Sequence, residues 1–237
     1  RMIADLRALI EREDPATIGA FFAEPVSVSA GLALPPRTYW EKLGALLREY
    51  EIRLFDDEVV TGFGRTGNMF GAETYAMAPD CMTVAKALTS AYQPLSAVIM
   101  GEEFYQGLER GSAEVGMFSH AGTYHGHPVP AAVALRVLEL MEERDILGHV
   151  RTVSPHFAAA LRALEDHPLV ARSRAVGLAG ALDLTMPEIE AGTVGARAAA
   201  RCEANGLFIR PVGDTLVLAP PLIITQAKID EMFRRLG

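Results

Sequence analysis

Lysine is nearly missing from this chain: of its 22 basic residues only Lys42, Lys86 and Lys228 are lysines, and the other 19 are arginines. Cysteine is as scarce. Cys81 and Cys202 stand far apart, with neither a disulfide framework nor metal-ligand spacing between them, which favours a reducing compartment and a cytoplasmic protein. No apolar run approaches the ~20 residues that a bilayer crossing needs, and the amino end lacks the cationic-then-apolar profile of a secretory leader. Positive charge is also in deficit, with 22 basic against 30 acidic residues and a net charge of −8. Without a basic stripe to offset it, that balance argues against nucleic acid as a partner. What remains is a chain of 237 residues, 50% hydrophobic, with enough apolar content for a sizeable core.

The scarcity of lysine gives Lys86 its interest. Arginine stays protonated at any working pH, whereas a desolvated lysine amine can lose its proton and attack a carbonyl to form a Schiff base. The run Pro79-Asp80-Cys81-Met82-Thr83-Val84-Ala85-Lys86 reads as a short buried strand with the lysine at its carboxyl end, in an apolar setting. Open α/β sheets place their ligands at that end. Upstream, Ile52-Arg53-Leu54-Phe55 runs into Asp56-Asp57-Glu58 and then Gly62-Phe63-Gly64-Arg65-Thr66-Gly67. A lysine to hold an aldehyde, and a carboxylate to keep a pyridine nitrogen protonated, are the two groups that pyridoxal phosphate requires.

The segments Ala23-Glu24-Pro25-Val26, Asp57-Glu58-Val59-Val60-Thr61-Gly62-Phe63-Gly64-Arg65-Thr66-Gly67, Ala85-Lys86-Ala87-Leu88-Thr89, Gly122-Thr123-Tyr124-His125-Gly126-His127-Pro128, Arg210-Pro211 and Leu218-Ala219-Pro220-Pro221-Leu222 occur in this order. Together they resemble the class III aminotransferases of fold type I, and within them the ω-amino acid:pyruvate type. The resemblance implies an α/β fold, with the mostly parallel sheet of a cofactor-binding large domain, here partial, followed by a smaller α+β domain. Members of that family are roughly twice as long, so the chain corresponds to about their C-terminal half. Their phosphate-binding turn, ring-stacking aromatic and pocket aromatics belong to the other half.

The same resemblance implies an enzyme that uses pyridoxal 5'-phosphate to exchange an amino group between an amine or ω-amino acid and a keto acid such as pyruvate. Lys86 would form the Schiff base and then move the proton. Asp57 would pair with the ring nitrogen and Val59 would lie against the ring. Thr123 matches a threonine that binds the phosphate of the cofactor held by the neighbouring subunit, which implies a homodimer with shared active sites. Arg210 matches an arginine that grips a substrate carboxylate through two parallel hydrogen bonds. Ser29 stands where ornithine and γ-aminobutyrate branches carry a glutamate that pairs with this arginine, which favours alanine, pyruvate or β-alanine exchange.

Several alternatives stay open. Adjacent strand residues point to opposite faces, so only one of Asp56 and Asp57 can meet a ring nitrogen, and a shift of one residue would exchange them. Glu24 either lines the site or merely bonds backbone amides. The G-x-G-x-x-G run at Gly62 to Gly67 also fits a nicotinamide dinucleotide loop. That reading needs an apolar helix directly afterwards and an acid about twenty residues on, and neither follows. A mutase or decarboxylase of the same fold would use the same lysine and aspartate. His120, His125 and His127 lack a carboxylate or thiol companion, so no metal is expected.

Alternating patterns fill the rest. Ile3, Leu6, Leu9 and Ile10 mark a first helix, Thr17 to Val26 a buried strand, Thr38 to Tyr50 an amphipathic helix and Ser96 to Met100 another strand. A helix from Pro130 is expected to lead from a large-domain portion (1–138) into a small domain (139–237). In the latter, a helix to Leu164, a strand at Ala179 to Leu184, a helix at Val194 to Asn205, strands at Leu207 to Arg210 and Thr215 to Leu218, and a terminal helix are expected.

Overall fold

Two four-stranded sheets organise the chain, each within its own contact unit. The structure, a computed structural model, describes residues 1–236. In chain order the elements are α1 (Met2–Arg12), β1 (Ala20–Ala23), α2 (Tyr39–Glu49), β2 (Arg53–Asp57), α3 (Gly71–Thr74), β3 (Cys81–Val84), β4 (Ala97–Met100), α4 (Glu102–Val115), α5 (Pro128–Glu143), α6 (Ile146–Ala163), β5 (Val170–Val176), β6 (Ala179–Leu184), α7 (Val194–Ala204), β7 (Arg210–Val212), β8 (Thr215–Leu218) and α8 (Gln226–Leu236). One unit comprises Arg1–Pro25, Pro35–Gly62 and Ala72–Glu143; the other comprises Val26–Leu34, Phe63–Gly71 and Arg144–Gly237. Glu139 lies inside α5, whose residues group with the first unit as far as Glu143.

In the first unit the strand order is β1-β2-β3-β4, parallel except for the last pair. Helix α2 makes the crossover from β1 to β2 and presses Trp40, Leu43, Leu46 and Leu47 onto Ile10, Ile52 and Leu54. These residues recur at helical spacing, which is why the periodicity predicts this helix well. The Trp40 indole donates to the carbonyl of Pro25 at 3.1 Å. Asp80 fastens the start of β2: its Oδ2 accepts the Leu54 N–H at 2.8 Å, and its Oδ1 accepts from Arg53 at 2.9 Å.

The expected buried strand from Thr17 to Val26 is instead four residues long, Ala20–Ala23, and Phe22 on it is 69% exposed. Pro15–Thr17 takes a 3-10 turn capped by Asp14, so the extended run starts late. With a single neighbour, β1 is an edge strand, and an apolar Phe-Phe pair there covers one face only.

In the second unit the order is β5-β6-β8-β7, all antiparallel. Helices α6 and α8 pack together, with Phe157 and Phe233 rings 5.6 Å apart. Arg65 donates Nη1 to the carbonyls of Leu178 at 2.9 Å and Pro220 at 2.6 Å, and burial pulls its pKa down to about 10. Asp214 caps α7 from a distance, accepting the N–H groups of Gly192, Val194 and Gly195 at 2.6, 2.8 and 3.3 Å. Strand β5 adds to the strands expected from the sequence, and the seventh strand runs Arg210–Val212 rather than Leu207 to Arg210.

Candidate active site at the carboxyl end of the parallel sheet

The register of the parallel strands sets out the candidate site. Asp57, the last residue of β2, is the partner of Thr83 on β3, and Lys86 follows Thr83 by three positions. Both therefore stand at the carboxyl end of one sheet, where ligands of such sheets collect. Along β2, Leu54 and Asp56 are buried while Phe55 and Asp57 are half-buried, so the two aspartates occupy opposite faces. Asp57 Oδ1 accepts the N–H of Val59 at 3.0 Å. Val59 lies past the end of the strand, so this turn rather than the pleat keeps it beside Asp57.

Lys86 opens a 3-10 turn, Lys86–Thr89, with φ 43°, and Ser90 and Ala91 follow at φ 48° and 61°. Three non-glycine residues in the left-handed region within six positions store backbone strain, a common companion of functional sites. The turn is held by the Thr89 hydroxyl donating to the Gln93 carbonyl at 2.6 Å and by packing against α5. The Lys86 side chain is exposed rather than sunk in apolar surroundings. It borders a hollow of about 330 Å³ with Thr89, Ala91, Gln93, Pro94 and Leu95. Among the described residues it has no ion-pair partner.

Glu24 is half-buried just beyond β1, at the same end of this sheet. Thr123 is exposed in the loop between α4 and α5, where the His125 ring comes so near Gly122 that a Cβ there would meet Nε2 at 2.7 Å. Arg210 is exposed at the start of β7, on the edge of the second unit's sheet. Ser29 is exposed, its hydroxyl 3.4 Å from that of Ser27.

Behind the site sits a second pair of acids, Asp56 and Glu58, on the face opposite Asp57. Asp56 is 1% exposed and Glu58 0%. Burial, reinforced by the charges of Glu58 and Asp57, holds the Asp56 carboxyl well above the usual carboxylate range. Three consecutive acids at the end of an apolar strand were the available signal. The glycine run leads not into a long apolar helix but into the four-residue α3, without the helix a dinucleotide loop needs. Gly62 is required by close approach, since a Cβ would lie 2.7 Å from the Glu58 carbonyl.

An amine without an ion-pair partner and a carboxylate on the next strand form a donor set suited to an aldehyde on a pyridine ring. The aminotransferase class-III family model matches residues 1–237. An uncharacterized aminotransferase, y4uB, of Sinorhizobium fredii is 44% identical over 98% of this chain and 52% of its own length. Gamma aminobutyrate transaminase 3, chloroplastic, of Solanum lycopersicum is 41% identical over all of this chain and 47% of its own. The chain thus spans about half the length of these relatives. The omega transaminase from Pseudomonas jessenii, solved in complex with PMP, superposes with a TM-score of 0.97 at 37% identity, over 100% of this chain and 53% of that one. A transaminase solved with L-ala gives 0.96 at 42% identity, over 100% and 57%. The α/β fold expected from the sequence is the fold of these transaminases, and the chain belongs to the class-III aminotransferase family.

Proposed function

We propose that the protein containing this chain is a pyridoxal 5'-phosphate-dependent transaminase that exchanges an amino group between an amine or ω-amino acid donor and a keto acid acceptor such as pyruvate. The observation that carries the reading is the placement of Lys86 and Asp57 at one end of adjacent parallel strands. When bound, the cofactor supplies an electron sink for the substrate carbanion. Lys86 Nζ would hold the cofactor's aldehyde, and its free amine would move a proton at the substrate carbon as general base and acid. Asp57, one oxygen already engaged by the Val59 N–H, holds the proton on the ring nitrogen. Val59, held beside Asp57 by its N–H, would lie against the ring, and Glu24 would border the site.

Thr123, exposed in its loop, is assigned to the phosphate of a cofactor held by a second subunit, so the working unit is a homodimer. Arg210 is assigned to the substrate carboxylate, through a bidentate pair. With Ser29 in place of a glutamate, alanine, pyruvate and β-alanine are the favoured exchange partners over ornithine-type substrates. A relative named as a gamma aminobutyrate transaminase adds γ-aminobutyrate to the donors to assay. The test is to incubate the intact protein with the cofactor, reduce with borohydride and map the adduct by mass spectrometry. A pyridoxyl group on Lys86 is expected; an intact, dimeric protein that yields no adduct would refute the reading.

A further inference from the structure

On the face of β2 opposite Asp57, two carboxyls are shut away from water. Asp56 and Glu58, two residues apart, point to the same side, and the strand ladder still holds Glu58, whose N–H donates to the Thr83 carbonyl at 2.9 Å. Their surroundings differ. Glu58 Oε2 accepts the Thr61 hydroxyl at 2.5 Å and its Oε1 accepts the Ala72 N–H at 2.7 Å. Both oxygens of Asp56 are buried, and among the described residues neither receives a hydrogen bond from a donor group.

No cation compensates from the packed elements. The register partners of Asp56 are Ala23 on β1 and Met82 on β3. Helix α2 buries Trp40, Leu43, Leu46 and Leu47 and leaves Glu41, Lys42, Arg48 and Glu49 exposed. In α3 the buried residues are Gly71 and Ala72, and Glu73 is exposed. On β3 the ionisable group is the Cys81 thiol, pushed up by burial and therefore neutral. The charged neighbours of Asp56 are Glu58 and Asp57, both acids.

We propose that Asp56 and Glu58 form a buried acid pair holding one proton, in which the Asp56 carboxylic acid donates to the Glu58 carboxylate. A bare carboxylate removed from water beside two other anions is the costliest state available to Asp56. Uptake of one solvent proton removes that charge and converts an acceptor without donors into a donor in contact with Glu58. The site end of β2 then carries one negative charge fewer on the face opposite Asp57. Burial and the two neighbouring acids raise the Asp56 pKa to about 8, far above its ordinary value of 3.8. Between those values the folded chain binds a proton that the unfolded chain has released, so stability falls as pH rises from about 4 to about 8 and levels off above.

The acid pair needs neither the cofactor nor the proposed reaction. Its test combines denaturant midpoints of the intact protein from about pH 5 to about pH 9 with infrared spectra of protein labelled with carbon-13 aspartate. The unaltered protein should show an aspartic-acid carbonyl band at neutral pH that disappears above about pH 8. Its midpoint should fall over the same range, and Asp56→Asn should lose the band and flatten the fall. An unaltered protein with no aspartic-acid band at neutral pH would overturn the pair, as would an Asp56→Asn protein whose midpoint falls as steeply. Should Asp56→Asn fail to fold, the infrared titration of the unaltered protein decides alone.

Discussion

Asp57 and Thr83 are register partners on adjacent parallel strands, and through this pairing an aspartate and a lysine separated by α3 and β3 reach one end of a sheet. The same aspartate organises its own turn by accepting the Val59 N–H. Asparagine keeps that Oδ1 acceptor and removes the charge. Asp57→Asn should therefore leave the melting temperature nearly unchanged while transamination drops by at least roughly 100-fold, as when a charge-stabilising group is lost from an active site. Thermal melts and turnover assays on the same preparations check it, and near-normal turnover would remove Asp57 from its assigned role.

Arg210 is exposed on an edge strand, so its replacement costs little stability, within about 0.5 kcal/mol. Arg210→Ala should lower kcat/KM for a keto acid or ω-amino acid by roughly 10- to 100-fold, the worth of a lost charge-assisted hydrogen bond. Amines without a carboxylate should be turned over as before. A parallel loss with both kinds of donor would show that Arg210 does not read the carboxylate.

Gly180 on β6 lies under two large side chains, and a Cβ there would meet Phe157 Cζ at 2.8 Å and Leu161 Cδ2 at 2.9 Å. Both are fully buried and unable to swing into solvent. Gly180→Ala should destabilise by about 1–3 kcal/mol through overpacking. Adding Phe157→Leu should cost less in that background than alone, which a double-mutant cycle of urea midpoints measures.

Asp183 accepts hydrogen bonds from Arg172, Arg174 and Thr215. Burial alone would raise its pKa, but the bonds from Arg174, Thr215 and Arg172 together win and hold it below the ordinary carboxylate value. A depressed folded-state pKa contributes stability that is complete above the unfolded value, near 3.8, and is lost as pH falls through the folded one. Asp183→Asn should therefore be less stable at neutral pH and show a shallower further loss below about pH 4, in denaturation curves run at stepped pH.

Where burial and periodicity coincide, the elements were legible. Helix α2 follows from its apolar spacing, and β6 and β8 from short apolar runs covered on both sides. Strand β5 was not legible because Val-Ala-Arg-Ser-Arg-Ala-Val alternates nothing apolar with charge; its arginines are satisfied sideways by Asp183 and by the carbonyls of Gly31 and Leu32. The seventh strand was placed early because Leu207-Phe208-Ile209 has strong strand propensity. The Val212-to-Thr215 hairpin, turning at Gly213 with φ 56°, fixes the register instead and leaves Phe208 85% exposed. At the site, the lysine and the acid were visible as residues, but the burial of Asp56 was not. It depends on which face of β2 the helices cover, a property of packing and not of local sequence.

The reach of Asp214 to α7 bears on the order of events in folding. Thr193, the residue before α7, makes no side-chain cap of its own, and a helix of 11 residues is marginal in isolation. Its first-turn amides find their acceptor only when the β7–β8 hairpin has brought Asp214 into place. The first turn of α7 thus depends on the hairpin, which β6 holds independently, and the amides of Val194 and Gly195 should exchange with solvent no more slowly than the hairpin opens.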